Sequence, residues 1–235
     1  MKNRRKSIQL AALILVFGFY CANCFAQLPS FTEKIRIPLW AEIDAYPGLE
    51  EAAKLEDYEY PVQEIKKIAP FIISGMVYGW KFVYVPYDKA RGIEEYFEVT
   101  EINAEAFTSN YNPNKIIYSS PWVEDTLLHC WCEYYRTNAE VQNYKAWSSI
   151  THPVIRARGY GSIKDGFEGI RAAAEDSLKA AVREYYRGIT KNKPRQISGS
   201  VLIKNEPILG IDAGRYAINL DFFLECDTIK GYGIY

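Results

Sequence analysis

The chain has 235 residues, of which 49% are hydrophobic and 24% are charged. This composition excludes an intrinsically disordered or collagen-like protein, because it supplies enough apolar side chains for a packed core. The 28 basic and 29 acidic side chains nearly cancel, so the overall charge gives no sign of a nucleic-acid partner. Aromatic residues are unusually abundant, with 19 tyrosines, 11 phenylalanines and 5 tryptophans.

Residues 1–26 have the three parts of a secretory signal peptide. A basic start at residues 2–6 precedes an apolar run over residues 10–20, and small residues lead up to Ala26. The apolar run is too short to span a bilayer. The pattern predicts export to the periplasm or the outer membrane, and a mature chain that has no transmembrane span. Removing this segment takes away four basic side chains and no acidic one, which makes the mature chain mildly acidic.

Cys24 offers an alternative end to the signal. Residues 21–24 loosely resemble the site at which bacterial lipoproteins are cut and acylated on the new N-terminal cysteine. Lipidation of Cys24 would attach the protein to a membrane surface, whereas cleavage after Ala26 would release it without a lipid. Both outcomes are compatible with export.

Three further cysteines lie in the predicted mature chain. Cys130 and Cys132 are two residues apart, so a disulfide between them would be strained. In an oxidising compartment either of them could pair with Cys226, with Cys132–Cys226 as the candidate disulfide, and three free buried thiols are the alternative. We expect neither a metal site nor a cofactor, since His129 would point away from both neighbouring cysteines in a strand.

Two segments of the chain match each other at a constant offset of 124 residues. Proline, glycine and turn residues dominate the matches, and these residue types determine backbone conformation. The matched positions include Ile73, Ser74, Gly75, Val77, Asp88 and Arg91, which correspond to Ile197, Ser198, Gly199, Val201, Asp212 and Arg215. The pattern predicts a duplicated β-α-β-β unit, with copies near residues 31–102 and 151–226.

The second copy is the clearer one. Apolar residues recur at steps of three and four between Ile163 and Ile189, which predicts an amphipathic helix. Strands are predicted around it at 151–160, 196–206 and 214–226. Transfer of this pattern to the first copy predicts a strand at 33–43, a helix at 48–69, and strands at 71–86 and 93–102.

The segment between the copies is rich in predicted strands. Strands are expected at 115–120 and 126–137, a loop at 110–114, and either a short helix or a strand at 139–149. The predicted fold class is therefore α+β, with antiparallel sheet packed on one helix per repeat. The predicted units are a signal peptide at 1–26, a first repeat at 27–102, a β-rich insert at 103–150 and a second repeat at 151–235.

Part of the second copy resembles a known type of protein. A strand ending in a glycine-rich turn at 156–161 leads to an alanine-rich helix and to the segments 197–201 and 216–220. This arrangement resembles small exported envelope proteins of the bacterial lipoprotein and flagellar-assembly families. The resemblance implies an interaction role at the envelope and carries over no catalytic residue.

Two kinds of residue are candidates for ligand binding. The charged pairs Asp88/Arg91 and Asp212/Arg215 recur in both copies, either as equivalent binding tips or as local turn-capping pairs. Trp80 and Trp131 lie on aromatic strand faces. Such faces either form core against a helix or, where exposed, stack on sugars or on a partner protein.

No familiar catalytic motif is present in the sequence, and catalytic residues are not assigned. Neighbouring acids occur at 50–51, 94–95, 124–125 and 175–176, and a glycosidase-like pair would require the fold to bring two of them together. The sequence therefore favours a non-enzymatic binding or assembly component of the bacterial envelope, with an envelope protein or cell-wall glycan as its partner. The alternative is a carboxylate-dependent envelope hydrolase acting on glycan.

Overall fold

The computed structural model describes residues 32–44, 58–107 and 116–232. Within these segments the chain forms helices and antiparallel strands, which confirms the predicted α+β class. The elements are β1 Lys34–Glu42, α1 Glu59–Val77, β2 Trp80–Val85, β3 Tyr96–Glu101, β4 Ile117–Glu124, β5 Leu127–Tyr135, α2 Asn138–Trp147, β6 Val154–Ser162, α3 Gly166–Ile189, β7 Gln196–Ile203, β8 Ile208–Asp212 and β9 Arg215–Lys230. Among the described helices, none has the length and apolar character needed to cross a lipid bilayer.

The larger of two sheets has the strand order β3-β2-β7-β9-β6, and β8 also pairs with β9. All of these pairings are antiparallel. Strand β9 spans 16 residues, and its two halves pair with β8 and β7 along one edge while β6 pairs along the other. Strands from both predicted repeats therefore share one sheet, since β2 pairs directly with β7.

The smaller sheet has the strand order β1-β5-β4. Strand β1 pairs antiparallel with β5, so that Ile37 lies opposite Cys132. Strands β4 and β5 form a hairpin whose register shifts between Ser119 and Trp122. Both strands of the predicted β-rich insert therefore belong to this sheet, together with the first predicted strand of the chain.

Helix α3 packs on β6 at unusually short range. The buried residues of its apolar stripe include Ile170, Ala174 and Leu178, as the three- and four-residue spacing predicts. Gly159 and Gly161 of β6 face the helix backbone, and a β-carbon at either position would collide with a helix carbonyl oxygen. Glycine is therefore required here because the helix and the strand approach each other backbone to backbone.

Helix α1 differs from the prediction. The sequence predicted a helix at 48–69 and a strand from residue 71, but the helix extends over Glu59–Val77 with Pro70 inside it. Its apolar stripe continues across the proline through Ile68, Ile72 and Met76, all of which are buried. Tertiary burial of this stripe therefore outweighs the helix-breaking tendency of Pro70. Residues 48–57 of the predicted helix lie outside the described residues.

The repeat register is not reproduced by the structure. Residues 73–77 end helix α1, whereas the matched residues 197–201 lie in strand β7. Strand β1 belongs to the smaller sheet, whereas its counterpart β6 belongs to the larger one. The β-α-β-β order is present in both halves, but the matched positions have different structural surroundings.

Helix α2 resolves the ambiguity that the sequence left at residues 139–149. The Thr137 hydroxyl accepts a hydrogen bond from the Glu140 backbone N–H, and the Glu140 carboxylate accepts one from the Thr137 N–H. This capping box starts the helix. The same carboxylate also accepts hydrogen bonds from the hydroxyls of Tyr78 and Tyr134, each at 3.0 Å. Burial, with a contribution from Glu140, raises the pKa of Tyr78 to about 12.

Candidate functional site

The outer face of the smaller sheet carries a row of stacked side chains. Strand residues alternate between faces, and Ile35, Ile37 and Leu39 of β1 are buried in the core with helix α1. The intervening residues therefore lie on the opposite face. Cross-strand pairing places Trp122 beside His129. We call the four stacked residues of this face, Arg36, Trp122, His129 and Trp131, the Trp face.

The four side chains of the Trp face contact one another in sequence. The His129 ring stacks on Trp122 with centroids 4.9 Å apart and an interplanar angle of 16°. The Trp122 and Trp131 rings are 6.0 Å apart. The Arg36 guanidinium lies 4.2 Å from the centroid of the Trp131 ring, a cation–π distance. Both indoles are only partly buried.

Charged groups flank this aromatic row at both ends. Glu133 accepts ion pairs from Lys34 at 2.8 Å and from Arg36 at 3.0 Å. The Glu133 hydrogen bond raises the pKa of Lys34. At the other end, a Glu124 carboxylate oxygen lies 3.9 Å from Nε2 of His129. The face thus combines flat aromatic area with charged hydrogen-bonding groups at both ends.

Such a surface suits a ligand with both apolar and hydroxylated faces. Indole rings present apolar area with a polar edge, and neighbouring charged groups can orient a ligand by hydrogen bonds. The C–H face of a sugar ring would lie on the indoles while its hydroxyls reach the flanking charges. The arrangement offers binding chemistry, and it places no nucleophile beside a general base.

Of the two tryptophans predicted to bind a ligand, only Trp131 lies on this face. Trp80 is wrong as a surface candidate, because it is 0% exposed and its ring stacks on Phe71 at 4.9 Å. Trp80 is a core residue, which was the other alternative for an aromatic strand face, and so are Phe82 and Tyr84 of the same strand.

Asp88 and Arg91 have local roles. The Asp88 carboxylate accepts hydrogen bonds from the backbone N–H groups of Ala90 and Arg91 and pairs with the Arg91 guanidinium. The Arg91 hydrogen bond lowers the pKa of Asp88. These contacts match the turn-capping alternative, and Arg91 also lies over the Tyr232 ring at 4.1 Å.

Asp212 and Arg215 occupy a different setting, at the two ends of the β8–β9 turn. The Asp212 carboxylate lies 3.3 Å from a guanidinium nitrogen of Arg158. The Arg215 guanidinium lies 4.3 Å from the Tyr160 ring. The structure therefore gives the two Asp/Arg pairs unlike surroundings, so they are not equivalent binding tips.

The candidate disulfide is not formed. Cys132 is buried in β5 of the smaller sheet, Cys226 is exposed on β9 of the larger sheet, and both are free thiols, as is Cys130. Burial raises the pKa of Cys130 and of Cys132. All three cysteines are therefore free thiols, but Cys226 is exposed and not buried as that alternative expected. Cys24, the candidate lipidation site, lies outside the described residues.

Thiol alkylation should separate these cysteines. Cys226 is expected to react with iodoacetamide in the folded protein, whereas Cys130 and Cys132 should react only after unfolding, because they are buried and reaction requires the thiolate. Peptide mapping by mass spectrometry under non-reducing conditions measures the three sites separately. Equal labelling of all three, or a Cys132–Cys226 cross-linked peptide, would contradict this assignment.

In the part of the chain that the structure describes, the neighbouring acids are exposed or hydrogen-bonded to other groups rather than paired with one another. The Glu95 carboxylate accepts a hydrogen bond from the Tyr84 hydroxyl at 2.9 Å, and the Asp176 carboxylate accepts one from the backbone N–H of Tyr160. Glu124 and Asp125 are exposed, and residues 50–51 lie outside the described part of the chain. Within the described residues, no group of three or more His, Cys, Asp and Glu side chains is placed to hold a metal ion.

Sequence reasoning missed two members of the Trp face. Strand β4 was predicted to end at residue 120, which left Trp122 outside any strand, but β4 continues to Glu124. Arg36 was assigned to a predicted strand without a role. If the antiparallel pairing of these two predicted strands had been extended up to the turn at residue 125, Trp122 would have been placed opposite His129.

Comparison with known proteins places the chain in a family of uncharacterised function. No solved structure matches it. An uncharacterised protein from Treponema pallidum (strain Nichols) is 27% identical over 201 residues, which cover 86% of this chain and 83% of that protein. A protein-family model matches residues 22–232. Because this match spans most of the chain, the protein belongs to that uncharacterised protein family.

Proposed function

We propose that the protein is an exported, non-enzymatic binding component of the bacterial cell envelope and that the Trp face binds cell-wall glycan. The observation that carries the proposal is the stacked row of two indoles, an imidazole and a guanidinium on one sheet face. Helix α1 covers the other face of this sheet, so the row is not the sheet's packing surface against the helix.

Export is supported by the N-terminal sequence pattern. The basic start, the short apolar run and the small residues before Gln27 match a secretory signal. The family match begins at residue 22, close to the proposed cleavage site, so the similarity covers the proposed mature chain. The resemblance of residues 156–220 to exported envelope proteins points the same way.

Glycan is the favoured occupant because of the mixture of groups on this face. Core positions of protein–protein interfaces are depleted in lysine and in acidic residues, although arginine is enriched there. Here Glu133 is ion-paired with Lys34 and with Arg36, whose guanidinium lies over the Trp131 ring, and Glu124 approaches His129. Charged groups interleaved with aromatic rings suit a polyhydroxylated ligand better than an apolar protein surface.

Sedimentation with purified peptidoglycan sacculi tests the proposal. The wild-type protein is expected to co-sediment, and Trp131→Ala or Trp122→Ala should each weaken binding roughly tenfold, the equivalent of about 1.4 kcal/mol for a lost aromatic contact. Trp147→Ala is the matched control, because that partly buried indole lies in helix α2 and contacts His152 at 4.8 Å. Its affinity for sacculi should not change.

Four results would overturn parts of this proposal. Failure of the wild-type protein to bind sacculi, or equal binding by all variants, would remove the Trp face as a glycan site. Capture of an envelope protein that is lost in Trp131→Ala, without binding to sacculi, would make the occupant a protein. Release of soluble glycan fragments from sacculi would favour the hydrolase alternative over a non-enzymatic role.

A further inference from the structure

A cleft of about 760 Å³ lies at one end of the larger sheet. Its walls come from three parts of the chain that are distant in sequence: the end of β2 with the segment leading to β3, the last turns of α3, and the segment from α3 into β7. This volume lies within the range of small-molecule sites in proteins. The cleft belongs to the larger sheet, whereas the Trp face belongs to the smaller one.

Basic side chains dominate the charge of this cleft. Arg183 and Arg187 project from α3, and Lys193 follows the helix. Glu95 is the one acidic side chain among the described lining residues. The described lining thus carries three cations and one carboxylate, whereas the overall net charge of the chain is −1.

The charges of these basic groups are incompletely neutralised. The Arg183 side chain is 57% exposed and lies 3.9 Å from Glu95, while Arg187 is 71% exposed and lies 3.4 Å from the equally open Glu184. Ion pairs between such exposed side chains are weak, so they hold the two guanidinium groups only loosely. The Lys193 ammonium donates a hydrogen bond to the backbone carbonyl of Tyr87 at 2.6 Å, and Asp88, an acid close to its charge, is already ion-paired with Arg91.

The rest of the lining supplies rings and a neutral hydroxyl. Pro86, Tyr87 and Pro194 form apolar parts of the walls. Tyr186 is 3% exposed, and burial, with the nearby Cys226, raises its pKa, so its hydroxyl remains protonated at neutral pH. The Glu95 carboxylate accepts a hydrogen bond from the hydroxyl of Tyr84, which is itself a residue of the cleft lining.

We propose that this cleft binds an organic anion whose carboxylate or phosphate lies between Arg183, Arg187 and Lys193 and whose ring or apolar body packs on Tyr87 and Pro194. Two observations support this proposal. The three basic side chains line the same cleft, and its volume is large enough for such a molecule. It is independent of glycan binding at the Trp face.

Isothermal titration calorimetry with three related probes tests the chemistry of the ligand. Phenyl phosphate and benzoate carry the two candidate anionic groups on the same ring, and benzyl alcohol is the neutral analogue. At constant ionic strength, one or both anions should bind and benzyl alcohol should not. Tighter binding of phenyl phosphate would assign the site to phosphates, whereas tighter binding of benzoate would assign it to carboxylates.

Single substitutions locate the site. Arg187→Gln and Lys193→Gln should each weaken binding of the preferred anion roughly tenfold, because each removes a charge-assisted contact. Arg156→Gln is the matched control, since that arginine is 76% exposed on β6 and is not part of the cleft lining. Thermal unfolding should show all three variants to be folded, as each side chain is at the surface.

The proposal fails if neither anion binds, if benzyl alcohol binds as tightly as the anions, or if Arg156→Gln weakens binding as much as the cleft variants do. None of these results bears on sedimentation with sacculi. A failed cleft and a failed Trp face can therefore be told apart.

Discussion

Replacing Gly161 with alanine is expected to lower the free energy of unfolding by about 3 kcal/mol, the upper part of the usual range for overpacking. A β-carbon at this position would collide with the carbonyl oxygen of Gly169 in helix α3 and would lie 3.0 Å from the Ala173 nitrogen. Both obstacles are backbone atoms, so relief requires the helix to move away from β6. Urea unfolding should show a lower midpoint with an unchanged slope.

Gly210→Ala is the matched control for this substitution. Gly210 also lies in a strand, β8, but no atom lies within 4 Å of the position that its β-carbon would take. The midpoint of this variant should equal or slightly exceed that of the wild-type protein, because alanine restricts the unfolded chain. Equal stability of the Gly161→Ala protein and the wild-type protein would show that the helix and strand are not held at backbone contact.

Arg136→Met is expected to destabilise the protein by a similar amount, about 3 kcal/mol, by leaving buried carbonyls unpaired. The Arg136 side chain donates hydrogen bonds to the backbone carbonyls of Met76 at 3.0 Å and Thr32 at 3.1 Å. Its guanidinium also lies 4.5 Å from the Tyr144 ring. It therefore ties the end of helix α1 to the segment before β1 and to helix α2.

Burial lowers the pKa of Arg136 to about 10, so the side chain remains charged at neutral pH. Lysine retains a charge but lacks the planar fork that reaches two carbonyls, so Arg136→Lys should recover only part of the lost stability. The exposed Arg156→Met change should leave the thermal midpoint nearly unchanged. Similar midpoints for the Arg136→Met and Arg156→Met proteins would contradict the bridging role.

The sequence predicted some elements well because one physical signal dominated them. Helix α3 has an apolar stripe with the helical period, and its observed bounds, Gly166–Ile189, lie close to the prediction. Strand β1 was likewise predicted within a residue at each end. In helix α1, by contrast, Pro70 and Gly75 signal a break locally, and burial of the apolar stripe in the core preserves the helix.

The glycines of β6 show a second limit of sequence reasoning. Gly159 and Gly161 suggested the end of a strand, since glycine is common in turns. The strand in fact continues to Ser162, because these glycines serve the close approach of α3. Glycine can thus be required either by a turn or by close packing of a helix, and only the position of helix α3 distinguishes the two reasons here.

The candidate sites were predictable to different degrees. Trp131 was recognised as a candidate because aromatic strand faces are visible in the sequence, whereas Trp80 has the same local pattern and is core. The anion cleft was missed altogether. Glu95, Arg183 and Lys193 come together only through the pairing of β2 with β7 and the packing of α3, and no local spacing records that pairing.

The long strand β9 also sets the order in which the fold can be completed. The smaller sheet has all of its strands within residues 34–135, so it can assemble early in synthesis. The larger sheet must wait, because β9 joins β6, β7 and β8 and is the last element of the described chain. In an exported protein, as proposed here, the larger sheet would therefore close only after strand β9, Arg215–Lys230, has crossed the membrane.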